Sequence, residues 1–377
     1  MNCKLSDICK YGKDKIDSSS LTSSTYISTE NMLPNLGGVT LASSMPTISS
    51  VSRFKNGDIL LSNIRPYFQK MIFADFDGGC SNDVLVLRAN EKCILPEYLY
   101  YSLAHKNFFD YVTKTGKGTK MPRGDRAAIL KYEINVPEVH IQQKIIKILS
   151  SIDKKIKNNN YTNDNLEKQG SLLIDNYLEK CNNEVELSDL LDFVNGFVFS
   201  SKDYLDQGRY KIITIKNVQD GKIDSAGASC LSEKPDRMKP ECELRIGDIL
   251  LSLTGNVGRV GAVCEDDLLL NQRVAKINPK NQALLPLLYF IFRQESMKSH
   301  LESISKGTAQ QNLSPVEMLK QNIKFNQEEA IILSETLQPI LEKIIKNNIE
   351  NQHLTKLRDT LLPELLNGKV DVSNIDI

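Results

Sequence analysis

Gly57-Asp-Ile-Leu-Leu-Ser62 recurs letter for letter as Gly247-Asp-Ile-Leu-Leu-Ser252. Each copy reads as a turn leading into a short apolar strand. Around this pair further matches fall in the same order. Leu5-Ser-Asp7 returns as Leu187-Ser-Asp189, and Pro96-Glu-Tyr-Leu-Tyr100 aligns with Pro286-Leu-Leu-Tyr-Phe290. Lys117-Gly-Thr119 returns as Lys306-Gly-Thr308, and Ile156-Lys-Asn-Asn159 as Ile345-Lys-Asn-Asn348. A repeat this long is not a solenoid unit; it is a domain present twice.

Each copy carries the same internal plan. The first part is rich in strands and turns: Ser52 to Asp58 leads into Ile59-Leu-Leu-Ser, and Asp83-Val-Leu-Val-Leu-Arg88 forms another strand. In the second copy Asp248 to Leu253 and Arg273 to Ile277 take these roles. Pro96 to Tyr111 reads as one amphipathic helix with proline in its first turn. Mixed α/β (α+β) globules follow.

Each copy then ends in a long helical tract, about Gln142 to Lys180 and about Gln327 to Asn367. Ile145, Leu149, Ile152 and Ile156 step by four, three and four, and Leu337, Leu341, Ile344, Ile345 and Ile349 make a similar stripe. Such spacing marks a seam against another helix. A helix of about 40 residues is about 60 Å long and needs a partner for its stripe. The natural partner is the helix of the other copy. The expected fold is therefore two globular domains separated by two long antiparallel helices in a coiled coil, with pseudo-two-fold symmetry. The expected boundaries are 1–139 and 182–326 for the globular domains, 140–181 for the first helix, and 327–377 for the second helix and tail. Asn159 and Asn348 either sit at the seam near the pseudo-dyad, where asparagine fixes register, or face solvent in a polar patch.

Composition narrows the class of function. Hydrophobic and charged fractions of 41% and 25% suit an ordinary soluble globule. Met1 to Lys13 has no apolar core of a signal peptide, and the apolar run Ala283 to Phe292 is short and interrupted by Pro286. A cytoplasmic protein with no membrane role is expected. The 8 cysteines form no CxxC pair, so they are expected to be reduced and mostly buried. The four histidines, 105, 140, 300 and 353, are widely separated, and no metal site is expected. There is no Walker loop and no Pro-Pro pair of an amino-methyltransferase motif. No catalytic constellation emerges. A net charge of zero counts mildly against nucleic-acid binding and leaves room for local patches.

One such patch lies between Asp110 and Lys131, where Lys114, Lys117, Lys120, Arg123, Arg126 and Lys131 face only Asp110 and Asp125. Glycines at 116, 118 and 124 make it a loop, suited to phosphate contacts, with Arg123 able to reach guanine. The alternative is a solvated surface loop. The second copy differs in kind. Lys306, Thr308, Gln310, Gln311 and Asn312 form an amide-rich loop suited to adenine and the thymine methyl. Thr254, Asn256 and Arg259 in a glycine-punctuated turn, with Gln272 and Arg273, are further candidates; local turn chemistry is the alternative. Because the loops differ, two different half-sites are expected.

The whole resembles the specificity subunits of type I restriction–modification systems, across nearly the full chain. In the first half the likeness rests on Tyr26-Ile-Ser-Thr-Glu-Asn-Met32, Gly57-Asp-Ile-Leu-Leu-Ser-Asn-Ile-Arg-Pro-Tyr67, Gly118-Thr-Lys-Met-Pro-Arg123 and Gln142 to Asp153. In the second half it rests on Gly247 to Val260, Leu270-Asn-Gln272 and Gly307 to Ser314. The family's proline- and glutamate-rich lead into the helix survives as Val136-Pro-Glu138; the second half has Lys324-Phe-Asn-Gln-Glu-Glu329 instead, which leaves the start of its helix open. The resemblance adds Arg65 and Tyr67 to the DNA-contact candidates. It implies a non-catalytic subunit that reads a bipartite site on double-stranded DNA for two methyltransferase subunits and for restriction subunits. S-adenosylmethionine, ATP and Mg then belong to those partners, and this chain needs no cofactor. Paired readers on one face of DNA sit about 34 Å apart, a distance that a helical spacer can set. A recognition subunit of a type IIB-like system, a nuclease and a silent scaffold are the rival readings.

Overall fold

A computed structural model describes residues 2–118, 120–307 and 311–373. The chain divides into two compact units, Met1–Lys154 with Thr355–Ile377, and Lys155–Leu354.

Both units open the same way. Strand Asn2–Lys4 pairs antiparallel with Glu133–Asn135, and Glu184–Glu186 pairs with Asn322–Lys324. Each opening strand runs into one helical turn, Leu5–Ile8 or Leu187–Leu190, whose leucines are buried. The Gly-Asp turn then sets up the repeated strand. Gly57 and Gly247 have φ of 89° and 93°, a region closed to most side chains. The aspartate that follows closes the turn on itself: Asp58 accepts from Lys55 N at 2.8 Å, and Asp248 from Arg245 N at 2.9 Å. Each carboxylate also meets a basic side chain of the adjoining strand, Arg88 at 2.7 Å and Lys276 at 3.3 Å.

Strands Ile59–Ser62 and Ile249–Ser252 are buried throughout, because each has a sheet neighbour on both sides. Their register repeats: Ile59 pairs with Leu87 and Ser62 with Val84, as Ile249 pairs with Ile277 and Ser252 with Val274. In the first unit the central sheet has four strands, with a second four-stranded sheet beside it; in the second the sheets have six and four strands. The architecture is mixed α/β in both units.

The single helix expected over Pro96 to Tyr111 is two helices, Pro96–Leu103 and Lys106–Lys114. His105 breaks it by turning extended (φ −105°, ψ 142°) and accepting from Asn107 N, which caps the second helix. The second copy breaks at Gln294, between Leu285–Arg293 and Glu295–Ile304.

The long helices run Val139–Lys180 and Gln327–Leu366. The second begins without proline because Asn326 caps it, its Oδ1 accepting from Glu328 N and Glu329 N. In the first unit Ile145 and Leu149 join the globular core together with Leu362 and Leu365; Ile152 is buried as well. Arg358 of the second helix meets Asp153 of the first at 3.1 Å, and Tyr101 O–H donates to the same carboxylate at 2.8 Å.

In the second unit the helices pack antiparallel. Lys155 meets Glu350, Asn159 donates to Glu350 and Asn351, and Asn163 donates to Asn348 at 2.9 Å while accepting from Asn347 at 2.7 Å. Asn159 and Asn348 are thus buried members of an asparagine cluster, and each pairs with a different residue. Leu341 is buried, and Ile156 and Ile345 are half-buried. Gly170 lets the first helix come against Phe290, and Ser171 and Gln294 bond twice beside it. Tyr289 donates to Glu167; the burial of Tyr289 itself, and after it the charge of Glu167, hold that phenol well above its usual range.

Six of the cysteines are buried, Cys3 is half-buried and Cys93 is exposed. Among the described residues no helix is long and apolar enough to cross a membrane.

Candidate nucleic-acid interface

The repeated strand delivers the chain to the candidate surface in each unit. After Ser62 the backbone enters a short turn, Pro66–Phe68, flanked by left-handed Arg65 (φ 49°) and Gln69 (φ 52°). Non-glycine residues hold such angles only where neighbours fix them. For Gln69 the neighbour is Leu36, whose N donates to Gln69 O at 3.0 Å, and for Arg65 it is the loop closed by Lys117 and Arg123. Lys117 and Arg123 exchange backbone bonds of 2.8 and 2.9 Å that close this loop. Arg65 N donates to Pro122 O at 2.8 Å and Gly124 N to Asn63 O at 3.1 Å, which ties the loop to the turn. Asn63 N in turn donates to Asp83 O at 2.8 Å. Arg65, Tyr67, Lys117, Lys120, Arg123 and Arg126 are therefore brought to one place, and all are exposed. Thr119 lies outside the described residues.

Two ion pairs shape this surface. Lys117 Nζ lies 2.7 Å from Asp125, which also caps the helix Arg126–Ile129 by accepting from Ala127 N and Ala128 N. The lysine first, then those two amides, push the Asp125 carboxyl down to about 2. Arg123 Nη2 lies 3.1 Å from Asp83. Arg126 donates to Asn82 O at 3.4 Å. Tyr67 and Phe68 pack with tilted rings, centroids 4.7 Å apart, and remain exposed, adding an aromatic edge beside the cations.

The second unit rebuilds this frame bond for bond. Lys306 and Asn312 exchange backbone bonds of 3.0 and 2.9 Å. Gly255 N donates to Gln311 O at 3.2 Å, Leu313 N to Leu253 O at 2.8 Å, and Leu253 N to Arg273 O at 3.1 Å. Ser314 stands where Asp125 stood and caps the helix Pro315–Leu319. The bonds are the same because they are made by backbone, whatever side chains the loops carry. Lys306, Gln311, Asn312, Asn256, Gln272 and Arg273 are exposed around this frame. Thr308 and Gln310 lie outside the described residues.

Two expected contacts are placed differently from the rest. Thr254 is only 8% exposed, and its backbone bridges Asn312, so it builds the base of the loop instead of its surface. Arg259 is half-buried and donates to Gln219 at 3.2 Å, which spends its guanidinium inside the protein. One residue was missed from the sequence. Asp83 reads there as the first residue of a strand, which begins instead at Val84; its signal is that the repeat places Arg273 at the same position.

Among the described residues no cluster of histidine, cysteine, aspartate and glutamate could hold a metal ion. What the site offers is an exposed, framed set of cations, amides and one aromatic pair.

A family model described as type I restriction modification DNA specificity domain matches residues 1–168 and again 179–357. The type I restriction enzyme HindI specificity subunit of Haemophilus influenzae is 25% identical, over 84% of this chain and 87% of its own length. The MjaVIII specificity subunit of Methanocaldococcus jannaschii is 27% identical, over 81% of this chain and 77% of its own. The fold is also that of the type I restriction–modification S subunit from M. genitalium, with a TM-score of 0.55 at 18% identity over 97% and 96% of the two chains.

Proposed function

Since the chain belongs to the type I restriction–modification DNA specificity family, we propose that it reads a split, asymmetric site on double-stranded DNA and directs adenine methylation, or cleavage, by partner subunits. The observation that carries this reading is the duplicated loop frame. The same backbone bonds hold Lys117–Arg123 in one unit and Lys306–Asn312 in the other, while the exposed side chains differ. A constant scaffold with variable letters is what two readers of two different half-sites require.

The division of labour follows from side-chain chemistry. Lys120 and Arg126 are long exposed cations suited to phosphate oxygens, which fix register without reading sequence. Arg65 and Tyr67 flank them. Gln311, Asn312 and Gln272 can pair with base edges in the major groove. A chain of zero net charge binds DNA weakly by itself, since affinity grows with the number of phosphates neutralised. Two methyltransferase subunits supply the remaining contacts and S-adenosylmethionine; restriction subunits, with ATP and Mg, join for cleavage. The chain is the non-catalytic, cytoplasmic member.

The test is co-expression with the modification subunit of its own system in a host without adenine methylation, followed by methylome sequencing. N6-methyladenine in a split motif, absent when this chain is omitted, is expected. A soluble complex that methylates nothing would make the chain a scaffold and end this reading. A partner that both methylates and cleaves would assign it to a type IIB-like system.

A further inference from the structure

If the chain reads DNA as proposed above, base choice falls to two side chains. Positions 123 and 312 close the two loops with the same backbone bonds, and positions 83 and 273 accept the same bond from the residue that follows the repeated strand, Asn63 or Leu253. The frame is constant, so the side chains at these four positions can be compared directly. In the first unit they are Asp83 and Arg123, an ion pair at 3.1 Å. In the second they are Arg273 and Asn312. An acid and a cation have given way to a cation and an amide.

That exchange changes what each loop can recognise. Guanidinium is planar and offers donors only. Asp83 takes one of its edges, and Arg123 is still 56% exposed, so donors on the fork remain open to a ligand. A donor-only fork needs two acceptors side by side, which guanine presents as N7 and O6; adenine presents a donor beside N7. Asn312 has an amide, with one donor and one acceptor, which matches adenine N6 and N7. Among the described residues Arg273 has no acidic partner, and it stays exposed.

We infer that Arg123 and Asn312 are the equivalent specificity-determining residues of the two readers: Arg123, buttressed by Asp83, selects a guanine in one half-site, and Asn312 selects an adenine in the other. Asp83 is a positioning residue that holds the fork in one orientation.

The test uses the full chain with its modification subunit and methylome sequencing as readout. The unsubstituted complex should give a split motif with a guanine in one half. Arg123→Ala should lose discrimination at that guanine alone, from about ten- to a hundredfold to nearly none, and leave the other half unchanged. Asn312→Ala should relax one adenine in the other half only. Asp83→Ala should weaken the guanine preference without replacing it by another base. If Arg123→Ala does not yield a soluble complex, Arg123→Gln carries the test. A shift from guanine to adenine supports the inference, and retained guanine overturns it. An unchanged motif in Arg123→Ala, or relaxation in both halves at once, also overturns it while leaving the split-site reading intact. Absence of any split motif before substitution overturns both.

Discussion

Gly170→Ala sets two opposing magnitudes against each other in a single substitution. Residue 170 lies inside the helix Val139–Lys180, where alanine in place of glycine ordinarily stabilises by about 1 kcal/mol. The new Cβ, however, would lie 2.2 Å from Phe290 Cε1, 2.5 Å from Cδ1 and 2.7 Å from Cζ. That is more than 1 Å inside ordinary van der Waals contact. Phe290 is 1% exposed and packed on all sides, so the ring has nowhere to rotate. Overpacking of a full core costs about 1–3 kcal/mol, and an overlap with three ring atoms belongs at the upper end. The net expectation is destabilisation of about 2 kcal/mol, opposite in sign to helix propensity. Urea unfolding of the wild type, Gly170→Ala, Phe290→Leu and the double variant measures it as a cycle. Leucine removes the ring atoms that clash, so the double variant should be more stable than the two single losses added, by about 1–2 kcal/mol. A Gly170→Ala protein more stable than wild type, or a cycle with no coupling, would refute the close-approach argument.

Three further outcomes are expected. Asn163→Leu strands the buried amides of Asn347 and Asn348, which both pair with Asn163; unfolding in urea should show a loss of about 1–3 kcal/mol per stranded group, largely recovered when all three become leucine. Asp125 has its carboxyl pushed down to about 2, so the charged form is favoured in the folded loop, and its contribution is present above the ordinary carboxylate range and lost as pH falls towards 2. A carbon-13 titration of its carboxyl should have its midpoint there, and a midpoint near 4 would contradict the Lys117 pairing. Lys120→Ala should weaken DNA binding by the assembled complex equally on all sequences and lower the slope of affinity against salt by about one; altered sequence preference would mean that Lys120 touches a base.

The particular elements show why some features were legible and others were not. The cap of the second long helix is present in the sequence as Asn326-Gln-Glu-Glu329, an asparagine with acidic residues in the first turn, although it lacks the proline of the first copy. The break at His105 left no periodic signal, because apolar spacing runs on through it and only the extended backbone of one residue stops the helix. Thr254 carries the same polar side chain whether it is on the surface or beneath it; the bridge to Asn312 puts it beneath.

Duplication, mixed strand and helix content, and the two long amphipathic helices follow from the sequence by itself. They depend on local patterns of turn residues and apolar spacing that any neighbour along the chain can impose. The tertiary structure decided what brings Arg65 to Pro122 and Gly255 to Gln311, residues more than fifty positions apart. It also decided that the compact units cut through both long helices, because each globular part buries its own portion of their stripes. Contacts of that kind are made by backbone pairing and packing across distant segments, and neither leaves a mark on the letters nearby.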